Sequence, residues 1–203
     1  MRMLRSAWIG LVFAGLLLGT GCKIQVDKSK NGEDKNVKID TPLGGIHVRK
    51  DDTAAADMGV PVYPGAQLAA DHDGDKSADV HLGFGEWQLR VKVVSYRTPD
   101  SSDKVMAFYQ KALGRFGDVI SCKGKASVGS PTSTHEGLTC DDNEEGKHVH
   151  VNVQDHDSGP SLKAGSKRHQ HIMAIEKTDD QGTRFSLVEL QLPKGSNDEK
   201  ESN

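Results

Sequence analysis

Glu86-Trp87-Gln88-Leu89-Arg90-Val91-Lys92-Val93, which runs through Thr98-Pro99 into a helical stretch ending at Gly117, decides the fold. Trp87, Leu89, Val91 and Val93 fall on one side of an extended chain, and Glu86, Gln88, Arg90 and Lys92 on the other. That is the period-two pattern of a half-buried antiparallel strand. Further on, Val105, Phe108, Tyr109, Ala112 and Phe116 recur at spacings of three and four, an apolar stripe wide enough to cover a sheet face. Asp100 or Ser101 suits the helix N-cap, Asp103 the positive first turn, Lys111 and Arg115 the negative end, and Gly117 the stop. The expectation is an α+β domain with a mostly antiparallel sheet of five or more strands and one main helix, 101–117, packed across one face. The helix is expected on the side carrying Trp87 and Val149, with Trp87, Leu89, Val91, Phe108, Ala112 and Val151 buried.

Alternation continues in both directions. Residues 80–96 make one long strand or a hairpin bent at Gly83-Phe84-Gly85, and segments 118–122, 136–140, 147–154, 168–177 and 183–192 also alternate. The α+β domain is placed at 59–193, entered through Val60-Pro61-Val62-Tyr63-Pro64-Gly65-Ala66, where Pro64-Gly65 sets a tight turn. Residues 22–58 read as a polar tether with a possible short hairpin, built from 23–26, 37–40 and Ile46-His47-Val48. Residues 194–203 have the composition of a disordered tail. Asp71-His72-Asp73-Gly74-Asp75 resembles the start of a calcium loop, but Lys76 and Leu82 stand where that loop needs glycine and glutamate, so it reads as a solvated turn.

The N-terminus carries the strongest functional signal. Arg2 and Arg5, an apolar run over 7–18 and Gly19-Thr20-Gly21-Cys22 are the parts of a secretory signal, with a cysteine directly after the small-residue site. The stretch resembles a bacterial lipoprotein signal peptide, 1–21, in which Cys22 takes diacylglycerol on its thiol and palmitate-type acyl chains; Gly19 stands where that pattern prefers leucine. The resemblance implies a membrane anchor facing the periplasm or exterior of a bacterial cell envelope. Lys23 rather than aspartate after the cysteine favours the outer membrane. With Thr41-Pro42-Leu43-Gly44-Gly45, the Val60–Ala66 motif and the Asp103, Val105, Phe108, Tyr109, Leu113, Gly117 helix, the chain resembles a group of bacterial lipoproteins and secreted proteins with no assigned function, over roughly 37–117.

Export bears on the cysteines. Once Cys22 is given to lipid, Cys122 and Cys140 remain for an oxidising compartment, and a structural disulfide across the Gly-, Ser- and Thr-rich loop between them is expected. A redox pair would want Cys-x-x-Cys, and a thiolate metal site a reducing location.

Nine histidines are the compositional outlier. His148-x-His150 and His169-x-His171 sit in alternating segments, where residues two apart share a side about 7 Å apart, close enough to chelate zinc, copper or nickel. The competing reading makes them polar residues of exposed or marginal sheet positions. Val149, Val151 and Val153 mark a dry side, so His148 and His150 face away from it. If Met173 and Ile175 are core, His169 and His171 point inward and the pairs cannot meet; that is the arrangement expected.

The chain offers nothing to nucleic acid. Its net charge of −3 falls further when Arg2 and Arg5 leave with the leader, and no basic patch with aromatics appears. It also lacks Gly-x-Ser-x-Gly, His-Glu-x-x-His and a phosphate loop. The function expected is a lipid-anchored, non-catalytic envelope domain binding a protein, glycan or small ligand. The alternative is a divalent-metal-binding lipoprotein using the His-x-His strands.

Overall fold

The computed structural model describes residues 23–28, 34–50, 55–70, 76–141 and 159–193. The alternating stretch becomes β6 (Trp87–Thr98), joined to β5 (Ser77–Phe84) by a turn at Gly85-Glu86, where Gly85 has φ 60°, a conformation that costs glycine nothing. On the other side of β6 lies β11 (Gly182–Gln191), then β10 (His169–Asp179), β9 (Pro160–Gly165), β7 (Val119–Lys123) and β8 (Ala126–Ser127). Beyond β5 come β3 (Gly44–Lys50), β2 (Asp34–Thr41) and β1 (Lys23–Lys28), while β4 (Gln67–Leu68) pairs with the end of β6 that β5 leaves free. All these pairings are antiparallel. The described residues thus form a mostly antiparallel sheet of 11 strands with one α-helix, α1 (Ser102–Ala112), a more β-rich fold than the sequence suggested.

α1 runs on into a 3-10 turn, Leu113–Phe116, and ends where Gly117 takes φ 111°. Its stripe buries Val105, Tyr109 and Leu113, with Phe108, Ala112 and Phe116 half-buried around them. Tyr109 lies 5.5 Å from Phe185 and Phe185 stacks on Tyr96 at 5.8 Å, ring centroid to centroid, so the helix covers the side of the sheet bearing Val94, Tyr96, Met173, Phe185 and Leu187. This corrects the expected face. Trp87, Leu89, Val91 and Val93 lie on the opposite side, because β6 carries apolar residues on one side in its first half and on the other from Val94 onward. Leu89 is buried; Trp87 and Val91 are only half-buried. Val149 and Val151 lie outside the described residues.

The entry motif acts as a clamp on the helix. The Tyr63 N–H donates to Tyr109 Oη at 3.1 Å, Tyr109 Oη donates to the Pro61 carbonyl at 3.2 Å, and Tyr63 Oη donates to Asp100 Oδ2 at 2.9 Å. Gly65, at φ 76°, closes the turn that aims Tyr63 inward.

β1, β2 and β3 belong to the same sheet as the rest, with β3 paired to β5 from Gly44↔Phe84 to Lys50↔Ala78. Two rows of apolar residues cross this wing: Ile24, Ile39, Ile46, Leu82 and Leu89, and beside them Val26, Val37, Val48, Val80 and Val91. Both lie on the side away from α1. Residues 136–140 form a turn and a single bridge, Ser133↔Thr139, instead of a strand. β9 gave no alternating signal, since Ser161, Leu162, Lys163 and Ala164 are all buried and neither side of the strand shows solvent.

Candidate functional site: His169, His171 and Glu189

Register places the site. His171 pairs with Glu189 and Glu189 with Lys92, while His169 pairs with Gln191, all on the helix side of the sheet just past its apolar part. Met173 and Ile175, two and four residues beyond His171, are 0% and 5% exposed; His171 on the same side is buried with them, while His169, further along, is exposed. The half-exposed His169 ring reaches Glu189 Oε1 through Nε2 at 3.0 Å. Lys92 Nζ donates to Glu189 Oε2 at 2.7 Å and to the Asp57 carbonyl at 2.8 Å, and Gln191 Nε2 donates to Glu189 Oε1 at 2.9 Å. The His171 ring lies flat against Phe116, 3.6 Å between centroids and 8° between planes, and 4.8 Å from the His169 ring. Its Nδ1 is buried with no hydrogen-bond partner.

Electrostatics sort these groups into a charged pair and a neutral ring. Burial pushes the Glu189 carboxyl up, but the Lys92, His169 and Gln191 hydrogen bonds outweigh it and hold Glu189 below the ordinary range. His171 is driven down to about 4, first by burial and then by the charge of His169, so it is a neutral imidazole at neutral pH. One donor atom from each of His169, His171 and Glu189 lies within 4.8 Å of the others. Two imidazoles and a carboxylate suit zinc, copper or nickel. Ligands held at about 2.0–2.1 Å in tetrahedral geometry stand about 3.4 Å apart, so this set must contract around an ion, and His169 is the most exposed of the three.

The remaining predicted residues fall elsewhere. Cys22, His148, His150 and residues 71–75 lie outside the described residues. Cys122 and Cys140 are joined by a disulfide with Cα atoms 5.7 Å apart, Cys122 in β7 and Cys140 in a turn rather than a facing strand. The bridge pins the loop at its end, where Lys163 Nζ also donates to the Cys140 carbonyl at 3.2 Å. On the wing, a shallow groove of about 330 Å³ is lined by Lys38, His47, Arg49, Asp79, His81 and Arg90. Its buried charge is internally satisfied: Asp79 receives Arg49 at 2.6 Å and Arg90 at 2.7 Å, bonds that outweigh burial and hold its carboxyl low.

Sequence reasoning missed Glu189 and placed Lys92 on a solvated side. The signal was there: each is the lone charge within a mostly apolar stretch, Phe185-Ser186-Leu187-Val188-Glu189-Leu190 and Val91-Lys92-Val93-Val94. A charge so placed is buried and paired. Their partnership needs the β6–β11 register, which sequence does not show. No family model, curated protein or solved structure matches the chain.

Proposed function

We propose that the chain is a lipid-anchored, non-catalytic domain of a bacterial cell envelope, held to the membrane through Cys22, with the outer membrane favoured and an envelope protein or glycan as its partner. The observation that carries this is the leader: two arginines, an apolar run and Gly21-Cys22. Two features support it. The sheet begins at Lys23, next to the lipidated position, and the Cys122–Cys140 bridge suits an oxidising compartment. Two or three acyl chains, each contributing about 0.8 kcal/mol per buried methylene, hold such a domain steadily. Cys22→Ser should release the protein from membranes or leave an uncleaved precursor, read by fractionation and intact mass. Unchanged fractionation and mass would end the proposal.

A second reading is favoured by one observation, the buried unpartnered Nδ1 of His171 beside His169 and Glu189. In it the domain takes a divalent transition metal at these three residues. Lys92 opposes binding by holding Glu189 and adding positive charge, so the affinity expected is modest. Titration calorimetry with zinc, copper and nickel decides. Binding that disappears in His171→Ala supports the site; heat that survives His171→Ala, or none at all, removes it.

A further inference from the structure

The chain enters the sheet at Lys23, and register shows what lies at that end. Lys23 pairs with Asp40, Asp40 with Gly45 and Gly45 with Gly83. One step outward, Thr41 pairs with Gly44, Gly44 with Phe84 and Phe84 with Trp87, and past that row, among the described residues, project the turns Pro42-Leu43 and Gly85-Glu86. This end concentrates exposed apolar surface: Leu43 is 83% exposed, Ile24 64% and Phe84 49%. The Phe84 and Trp87 rings are 6.0 Å apart on the apolar side of the wing. Gly44 makes room for them, since a Cβ there would come within 2.6 Å of Phe84 Cδ1.

On the reading that Cys22 carries the lipid, we infer that the Leu43 turn and the Phe84–Trp87 hairpin tip enter the headgroup region of the bilayer, a second, non-covalent membrane contact beside the anchor. The acylated position immediately precedes the first residue of the sheet, and a residue spans at most about 3.6 Å, so there is little slack to lift this end away from the lipid. Tryptophan and its aromatic neighbour suit the interface, where an apolar ring and a polar N–H are both accommodated. Glu86 at the hairpin turn limits the depth, because an ionised carboxylate stays with water. Among the described residues no helix is long and apolar enough to cross a membrane.

The chain contains two tryptophans, Trp8 in the leader and Trp87, so Trp8→Phe leaves Trp87 as sole reporter whether or not the leader is removed. The protein is purified from membranes and reconstituted into phosphatidylcholine–phosphatidylglycerol vesicles with or without brominated acyl chains. Trp87 emission should be quenched roughly twofold by bromine, and Leu43→Glu/Phe84→Glu should abolish the quenching while the protein still floats with the vesicles and keeps its far-ultraviolet circular dichroism. Floating protein whose Trp87 ignores bromine overturns the inference. So does a blue shift without quenching that grows with protein density, which would mean the tip meets a second copy. Protein without a lipid mass is a failure of the anchor instead. Cys22, the sole free thiol once Cys122 and Cys140 are paired, is then coupled to a maleimide phospholipid, and the same quenching decides the tip contact.

Discussion

The part of the sheet under α1 and the wing built from β1, β2, β3 and β5 place their apolar residues on opposite sides. Under the helix, Val94, Tyr96, Met173, Phe185 and Leu187 are at most 5% exposed and face α1. In the wing the same side carries Lys38, His47, Arg49 and His81, and the isoleucine and valine rows turn the other way. β6 and β11 pass through both regions, and the Lys92–Glu189 pair with His171 sits at the seam. The difference teaches that a strand's inner side is set locally by what covers it, and that a long strand can exchange sides where the cover ends. The charge at the exchange is buried and held by pairing, Lys92 with Glu189.

This comparison can be broken by stability measurements. Phe185→Ala, at the centre of the helix-covered core, should lose about 3–5 kcal/mol in urea unfolding. At the seam, Lys92→Met should lose about 3 kcal/mol by leaving Glu189 buried without its cation, and Lys92→Met/Glu189→Met should recover most of it. Acid acts at the seam as well. The unfolded His171 titrates near 6.5 and the folded one near 4, so its contribution is complete above pH 6.5 and falls by about 3 kcal/mol on reaching pH 4. His171→Phe should flatten that part of the pH profile. In the wing, Ile39→Ala should cost only about 1 kcal/mol, because the side chain is half-exposed before it is cut. A loss equal to that of Phe185→Ala would mean the wing has a core of its own.

The helix and its stop and the strands β7, β10 and β11 were legible from their alternation or a glycine break; the hairpin was legible only as an alternative to one long strand, and its turn falls at Gly85-Glu86 rather than at Gly83-Phe84-Gly85. Which side the helix covers was not: Val93-Val94 offers apolar side chains to both sides, and the choice depends on Phe185 and Leu187 arriving from a distant strand. The disulfide was legible from cysteine arithmetic, though not the turn that holds Cys140. Of the candidate site, His169 and His171 were legible as a same-side pair, and the side they share with Met173 and Ile175 only on the condition that those two are core. Glu189 could not, since it joins them through pairing of β10 with β11.

β1 ends the sheet: among the described residues nothing pairs with its outer side, so a row of backbone N–H and C=O groups stands open. With Cys22 anchored as proposed, every copy in a leaflet presents this strand with its N-terminal end at the membrane. Neighbours related by a two-fold axis along the membrane normal can bring two such edges together only in parallel. The antiparallel pairing used throughout this sheet would require one copy to be upside down. Anchoring at the strand's own end, as proposed, would thus guard against antiparallel pairing of two such edges in a crowded leaflet, a guard that protein released from its lipid would no longer have.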